Sequence, residues 1–190
     1  MKFRLTLLIM MLITIPLSAQ DFTGELNVGI GASQIDGDTW FGYDKFNGLA
    51  GFMVSINAEK KSFFCIGVQL CNRGSKKDQS TNDITYSKIG LRYVELPIYL
   101  KIRTKKKFVF LGGLVPSYMI GNVKSFENGD PIPDDGYYKK YDLGLALGVE
   151  YQLVNRLWLQ YRFMYSTLPI HTNPNQWNNS MNLSISYKMK

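Results

Sequence analysis

The chain has 190 residues, a formal net charge of +7, 14% aromatic residues, two cysteines and one histidine. That length suits one domain, and the positive balance is spread without a basic patch interleaved with aromatics, so nucleic acid is not expected as a partner. With one histidine and two cysteines, and no metal-ligand spacing between them, neither a metal nor a cofactor is expected.

Lys2 and Arg4 precede the apolar run Leu5 to Ile15, which ends in Pro16-Leu17-Ser18-Ala19-Gln20. This is the pattern of a secretory signal peptide over 1–19, with cleavage expected after Ala19 and a single domain over 20–190. Without Lys2 and Arg4 the net charge falls from +7 to +5. No later apolar run reaches the ~18 residues of a membrane-spanning helix.

The mature segment alternates apolar and polar residues at period two in eight stretches, the signature of strands with two distinct faces. The first runs from Phe22 to Ile35, with Leu26, Val28 and Ile30 on one face and Glu25, Asn27, Gly29 and Gly31 on the other. The second covers Gly48 to Ala58. The third, Phe63 to Asn72, sets Phe64, Ile66, Val68 and Leu70 against Cys65, Gly67, Gln69 and Cys71. Two cysteines six positions apart on one strand are ~20 Å apart, too far to bridge. The fourth is long, Thr85 to Ile102, with Tyr93, Glu95, Pro97, Tyr99 and Lys101 on its polar face; Lys88 and Arg92 interrupt its apolar face, so its start either rises above a membrane or contains a bulge. The fifth, Phe108 to Ile120, is apolar on both faces. The sixth, Lys140 to Leu153, alternates most regularly; Leu157 to Tyr165 forms the seventh, and Ser180 to Met189 the eighth.

Glu59 to Ser62, Arg103 to Lys107 and Val154 to Arg156 are tight turns. Asp36 to Asn47, Arg73 to Ile84, Asn122 to Lys139 and Thr167 to Asn179 are long and polar. Strict alternation of long and short connections gathers all long loops at one end of an up-and-down meander, the plan of outer-membrane barrels with short periplasmic turns.

Period two does not by itself say which face points outward, and a soluble periplasmic lipocalin-like ligand-binding barrel shares the alternation. The lipid-facing arrangement is favoured because the polar face is crowded with Gly29, Gly31, Gly67, Gly144, Ala146 and Gly148, as a narrow interior requires. The apolar rows are almost free of charge over the ~9–11 residues that a tilted strand needs, and aromatics recur near strand ends. The expected fold is thus all-β: an eight-stranded antiparallel up-and-down transmembrane β-barrel, monomeric, in contact with outer-membrane lipid. Eight strands leave room inside only for side chains. Glu25, Glu95, Lys101, Asp142, Glu150 and Arg162 share the polar faces and are expected to form an interior network, since isolated buried charges are costly.

The segment Arg92-Tyr93-Val94-Glu95-Leu96-Pro97-Ile98-Tyr99-Leu100-Lys101, followed by a strand carrying Gly112-Gly113, then Tyr141-Asp142-Leu143-Gly144 through Gly148, Leu159-Gln160-Tyr161-Arg162 and Asn182 to Tyr187, resembles PorT-like outer-membrane β-barrel proteins, small OmpX-like barrels. The resemblance implies an envelope protein, with a secretion-system protein among its implied partners. This chain departs from that pattern by ending Tyr187-Lys188-Met189-Lys190 in place of a terminal aromatic.

Two functional classes follow. One is a non-enzymatic envelope component acting through contacts, for which Trp40, Phe41, Tyr43, Tyr137, Tyr138 and Trp177 are candidate loop residues because exposed aromatics anchor partners. They equally suit an outer aromatic belt. The other is a small membrane-embedded lipid-modifying enzyme using His171 with Ser166 or Ser180. No third group orients His171, which reads as a solvated loop residue, so no catalytic residue is assigned.

Overall fold

A computed structural model describes residues 21–77, 87–105, 107–127, 130–132, 136 and 138–189. The signal-peptide reading, Thr85 and Tyr137 lie outside them. The ordered elements are β1 (Phe22–Asp36), β2 (Lys45–Ile56), β3 (Ser62–Lys76), β4 (Lys88–Glu95), β5 (Ile98–Arg103), β6 (Phe108–Met119), β7 (Lys124–Glu127), β8 (Asp130–Ile132), β9 (Tyr141–Val154), β10 (Leu157–Ser166), β11 (His171–Thr172) and β12 (Asn175–Lys188).

Every neighbouring pair is antiparallel, and β12 closes on β1 from Glu25↔Lys188 to Asp36↔Trp177. The cycle β1, β2, β3, β4 with β5, β6, β9, β10, β12 is therefore a closed eight-stranded barrel. Where β2 and β3 pair, from Leu49↔Cys71 to Ile56↔Phe64, closure leaves no sheet edge, the condition for strands in hydrocarbon. β4 and β5 are one barrel strand divided at Leu96-Pro97: Gln69↔Glu95 and Ile66↔Ile98 keep the same register on β3. Pro97 has no N–H for the ladder, and its carbonyl instead accepts from Gly67 N at 3.1 Å. The register from Gln69↔Glu95 to Lys76↔Lys88 is unbroken, so the charges at Lys88 and Arg92 reflect a strand rising past the apolar band and not a bulge.

Apolar side chains cover the outside. Val28, Ile30, Phe64, Leu70, Leu147 and Ile185 are all exposed, an arrangement that only a nonaqueous surrounding favours. Aromatic pairs mark both rims of β6 and β9: Phe108 and Tyr151 lie 4.9 Å apart between ring centroids, Tyr118 and Tyr141 5.2 Å. The ten residue-to-residue steps from Phe108 to Tyr118 rise ~33 Å along the strand. With a tilt of about 40° this spans ~25 Å, the height of an outer-membrane apolar band.

Several segments differ from the periodicity reading: β12 starts at Asn175, and β7, β8 and β11 form, inside stretches expected to be loops, and two further cases lie on β2 and β3. β3 continues through Arg73, Gly74 and Ser75 to Lys76, and β2 starts at Lys45, both inside stretches expected to be loops. Their small and charged residues resemble turn chemistry, yet Lys45, Arg73 and Ser75 point inward and are buried. The strands therefore extend where a polar interior, not an apolar face, holds them.

Candidate functional site: a plugged lumen and an outer rim

The barrel interior is built in layers along its axis. At the end carrying the short turns, Ala58, Phe63, Val109 and Trp158 form an apolar floor. Above it, Lys101 from β5 reaches Glu25 of β1 at 2.9 Å and Glu150 of β9 at 2.7 Å, and Lys188 of β12 reaches Glu150 at 2.8 Å. The Lys188 ammonium also lies 4.0 Å above the Trp158 ring. Ser55 donates to Glu25 at 2.6 Å and Gln160 to Glu150 at 2.9 Å. Met53, Cys65, Tyr99, Leu111, Val115, Ala146 and Met164 form the middle layer, which explains why β6 is apolar on both faces.

A second charged layer follows. Arg73 pairs with Glu95 and, at 2.8 Å, with Asp142; Arg162 reaches Glu95 at 3.2 Å. Arg162 also donates to Gln69 at 2.9 Å and to the Tyr99 hydroxyl at 2.8 Å. Asp142 further accepts from Ser166 at 2.9 Å and from Asn178 at 3.1 Å. Ile35, Leu91, Tyr93, Met119, Val123 and Ile170 then close the outer mouth.

Each charged layer holds two cations and two carboxylates, so neither leaves a net buried charge. Glu25, Glu95, Lys101, Asp142, Glu150 and Arg162 all lie inside the barrel, divided between the two layers. Two cations that complete them, Arg73 and Lys188, were not singled out by sequence. Arg73 was hidden by neighbouring Gly and Ser; Lys188, on the polar face of the last strand, carried a legible signal. Cys65 and Cys71 are buried and unbridged on β3. Among the described residues no group of three His, Cys, Asp or Glu side chains is arranged as metal ligands.

His171 is a correction to the solvated-loop reading: it is buried in β11. Its Nδ1 lies 2.9 Å from the Pro174 carbonyl, and its ring packs 4.6 Å from that of Tyr138. The Ser166 hydroxyl is engaged inside the barrel, donating to Asp142 while accepting from Asn178 N at 3.2 Å.

The loop aromatics are not equivalent. Phe41 is 87% exposed, whereas Trp40, Tyr43, Tyr138 and Trp177 are half-buried. Tyr43 donates to Asn179 at 2.6 Å, and Tyr138 packs against the apolar closure of the mouth. In the first long loop, burial raises the Asp38 carboxyl above the usual carboxylate range, a shift that the hydrogen bond from the Trp40 N–H opposes and the nearby Asp36 charge reinforces.

A closed barrel with an apolar exterior, aromatic rims and a filled interior defines a small outer-membrane barrel protein. The chain belongs to the outer membrane protein beta-barrel domain family, whose model matches residues 18–171. Its fold is similar to that of Neisserial surface protein A, at TM-score 0.54 and 11% identity over 90% of this chain and 100% of that one. It is also similar to Ail, the attachment invasion locus protein of Yersinia pestis, solved in complex with the heparin analogue sucrose octasulfate, at TM-score 0.52 and 12% identity over 89% of this chain and 99% of that one. No curated protein sequence matches the chain significantly. The protein is located in the outer membrane.

Proposed function

We propose that this protein is a monomeric, non-enzymatic component of the outer membrane that acts through contacts at its outer rim and not by conduction or catalysis. The observation that carries this reading is the filling of the lumen along its length by apolar and charge-paired layers. A pore needs a continuous aqueous path, and eight strands enclose only side chains. Chemistry at the rim needs a nucleophile with a base, whereas the Ser166 hydroxyl is held by Asp142. Phe41, together with the long strands that lift the loops above the apolar band, supplies a surface for an envelope partner.

The test is to reconstitute the purified protein in planar bilayers and, in parallel, to compare lipid A from cells carrying wild-type protein or His171→Ala. Absence of discrete conductance and an unchanged lipid A profile are expected. Stable channels, or lipid A that changes with His171, would overturn the reading. The PorT-like resemblance implies a finer role accessory to protein secretion. It is read by deleting the gene and measuring the secreted protein profile, with selective loss of secreted proteins as the result expected of such a role.

A further inference from the structure

Outside the barrel, the wall between β2 and β3 parts near the outer rim. Their pairing ends at Leu49↔Cys71, although β2 continues to Lys45 against β1 and β3 continues to Lys76 against β4. Below the parting, Val28, Gly48, Ala50, Leu70 and Ile120 border an open groove of about 650 Å³. A Cβ placed on Gly48 would meet nothing within 4 Å, so the groove holds free space at the level of the wall itself. Val94, paired with Leu70 on one side and Tyr118 on the other, puts this groove beside the outer aromatic belt.

Asn72 and Arg92 border this groove and also a second pocket directly beyond it, of about 230 Å³. That pocket is lined by Lys45, Lys88, Arg92 and Lys124, with Phe46 and Phe126 beside them and, among the described residues, no acidic side chain. Lys45 is 6% exposed and lines the pocket. Among the described residues Lys45, Lys88, Arg92 and Lys124 make no ion pair. Like charges brought together without a counter-charge repel one another, by an amount that falls when an anion enters. Among the described residues the other buried cations, Arg73, Lys101 and Arg162, each pair with a carboxylate, whereas Lys45, buried on the inward face, has none and reaches the pocket beside Lys88, Arg92 and Lys124, at the depth where hydrocarbon gives way to headgroups.

We propose that groove and pocket form one site for a phosphate-bearing lipid of the outer leaflet, with an acyl chain along Ala50 and Leu70 and a phosphate among Lys45, Lys88, Arg92 and Lys124. Arginine and lysine donors suit phosphate oxygens, and the continuous apolar run below suits an acyl chain. The depth matches: the cations begin one pleat beyond the aromatic belt, as Arg92 lies two residues outward of Val94.

Native mass spectrometry of the detergent-purified barrel reads the site with bisphosphorylated lipid A, dephosphorylated lipid A and inorganic phosphate as probes. Wild type is expected to retain bisphosphorylated lipid A and to release the dephosphorylated form, with inorganic phosphate at millimolar concentration failing to displace the lipid. Replacing Lys88, Arg92 and Lys124 together by Gln should cut retention about tenfold or more. Gly48→Phe, which fills the groove without a backbone clash, should reduce it comparably. Heat-modifiable gel migration verifies that both variants are folded barrels. Equal retention by wild type and both variants would overturn the proposal, as would equal retention of dephosphorylated lipid A. A loss confined to the charge variant, or displacement by inorganic phosphate, would assign the pocket to free anions and overturn the lipid site. A loss confined to Gly48→Phe would overturn the phosphate assignment.

Discussion

Arg73 on β3 and Asp142 on β9, 69 residues apart in the chain, meet at 2.8 Å inside the barrel. Their contact ties two walls together across the lumen. Arg73 is fully buried and also pairs with Glu95, so it neutralises a share of two carboxylates at once. Removing one member of a buried ion group strands its partners, at a cost of about 3–5 kcal/mol. Arg73→Met is therefore expected to lower stability by that amount. The loss is read as a lower urea midpoint for barrels refolded in vesicles, and an unchanged midpoint would show that water reaches this layer.

Gly113 on β6 tests how narrow the lumen is. A Cβ there would lie 2.0 Å from the Ile98 carbonyl oxygen and 2.9 Å from Tyr99 Cα, both backbone atoms that cannot rotate away. The neighbouring strand can sit this close only against a residue with no side chain. Gly113→Val is expected to abolish the fast-migrating unboiled band on SDS gels, whereas Gly121→Ala, where a Cβ meets nothing but φ is +73°, should retain a weakened one.

The barrel was legible in the sequence because a membrane wall demands strict alternation: one face must be apolar throughout, and the small residues opposite it record the narrow interior. The outer halves of the strands were less legible. From Lys45 and from Arg73 outward, side chains no longer face hydrocarbon, so the apolar row stops while the hydrogen-bonded ladder continues. The same reasoning applies to the lumen. Alternation collected Glu25, Glu95, Lys101, Asp142, Glu150 and Arg162 on one face, but which carboxylate meets which cation depends on register between strands. The apolar layers containing Met53, Leu111, Val115 and Met164 left no trace beyond the double-sided pattern of β6. His171 read as a loop residue because Pro169, Asn173 and Pro174 surround it, while its burial comes from Tyr138, contributed by a different loop.

Leu147 lies near the middle of β9, between Tyr141 and Tyr151, and is 61% exposed on the outer face. A lysine there would sit at the depth where the apolar band is least tolerant of charge, costing ~2–4 kcal/mol. The same substitution near either rim should cost ~0–1 kcal/mol, because the long side chain reaches the headgroups. Leu147→Lys and Val154→Lys, compared by unfolding in vesicles, are expected to separate in this way. Equal costs would place the apolar band at a different height on the barrel.

The two charged layers should behave as independent units. Arg73 shares its partners Glu95 and Asp142 with Arg162 and Ser166, whereas Lys101 shares Glu25 and Glu150 with Lys188. Between them lies the apolar layer of Met53, Leu111, Val115 and Met164, and among the described residues none pairs ionically with both. Substitutions without shared partners add to within ~0.5 kcal/mol, while those in one network do not. Arg73→Met combined with Lys101→Met should therefore sum, measured by urea unfolding of the single and double variants. Arg73→Met combined with Arg162→Met should depart from the sum by at least ~1 kcal/mol, because Glu95 loses its first cation in either single variant and its second only in the double. Coupling of that size between Arg73 and Lys101 would mean that the middle layer transmits strain, and the lumen would then be one network instead of two.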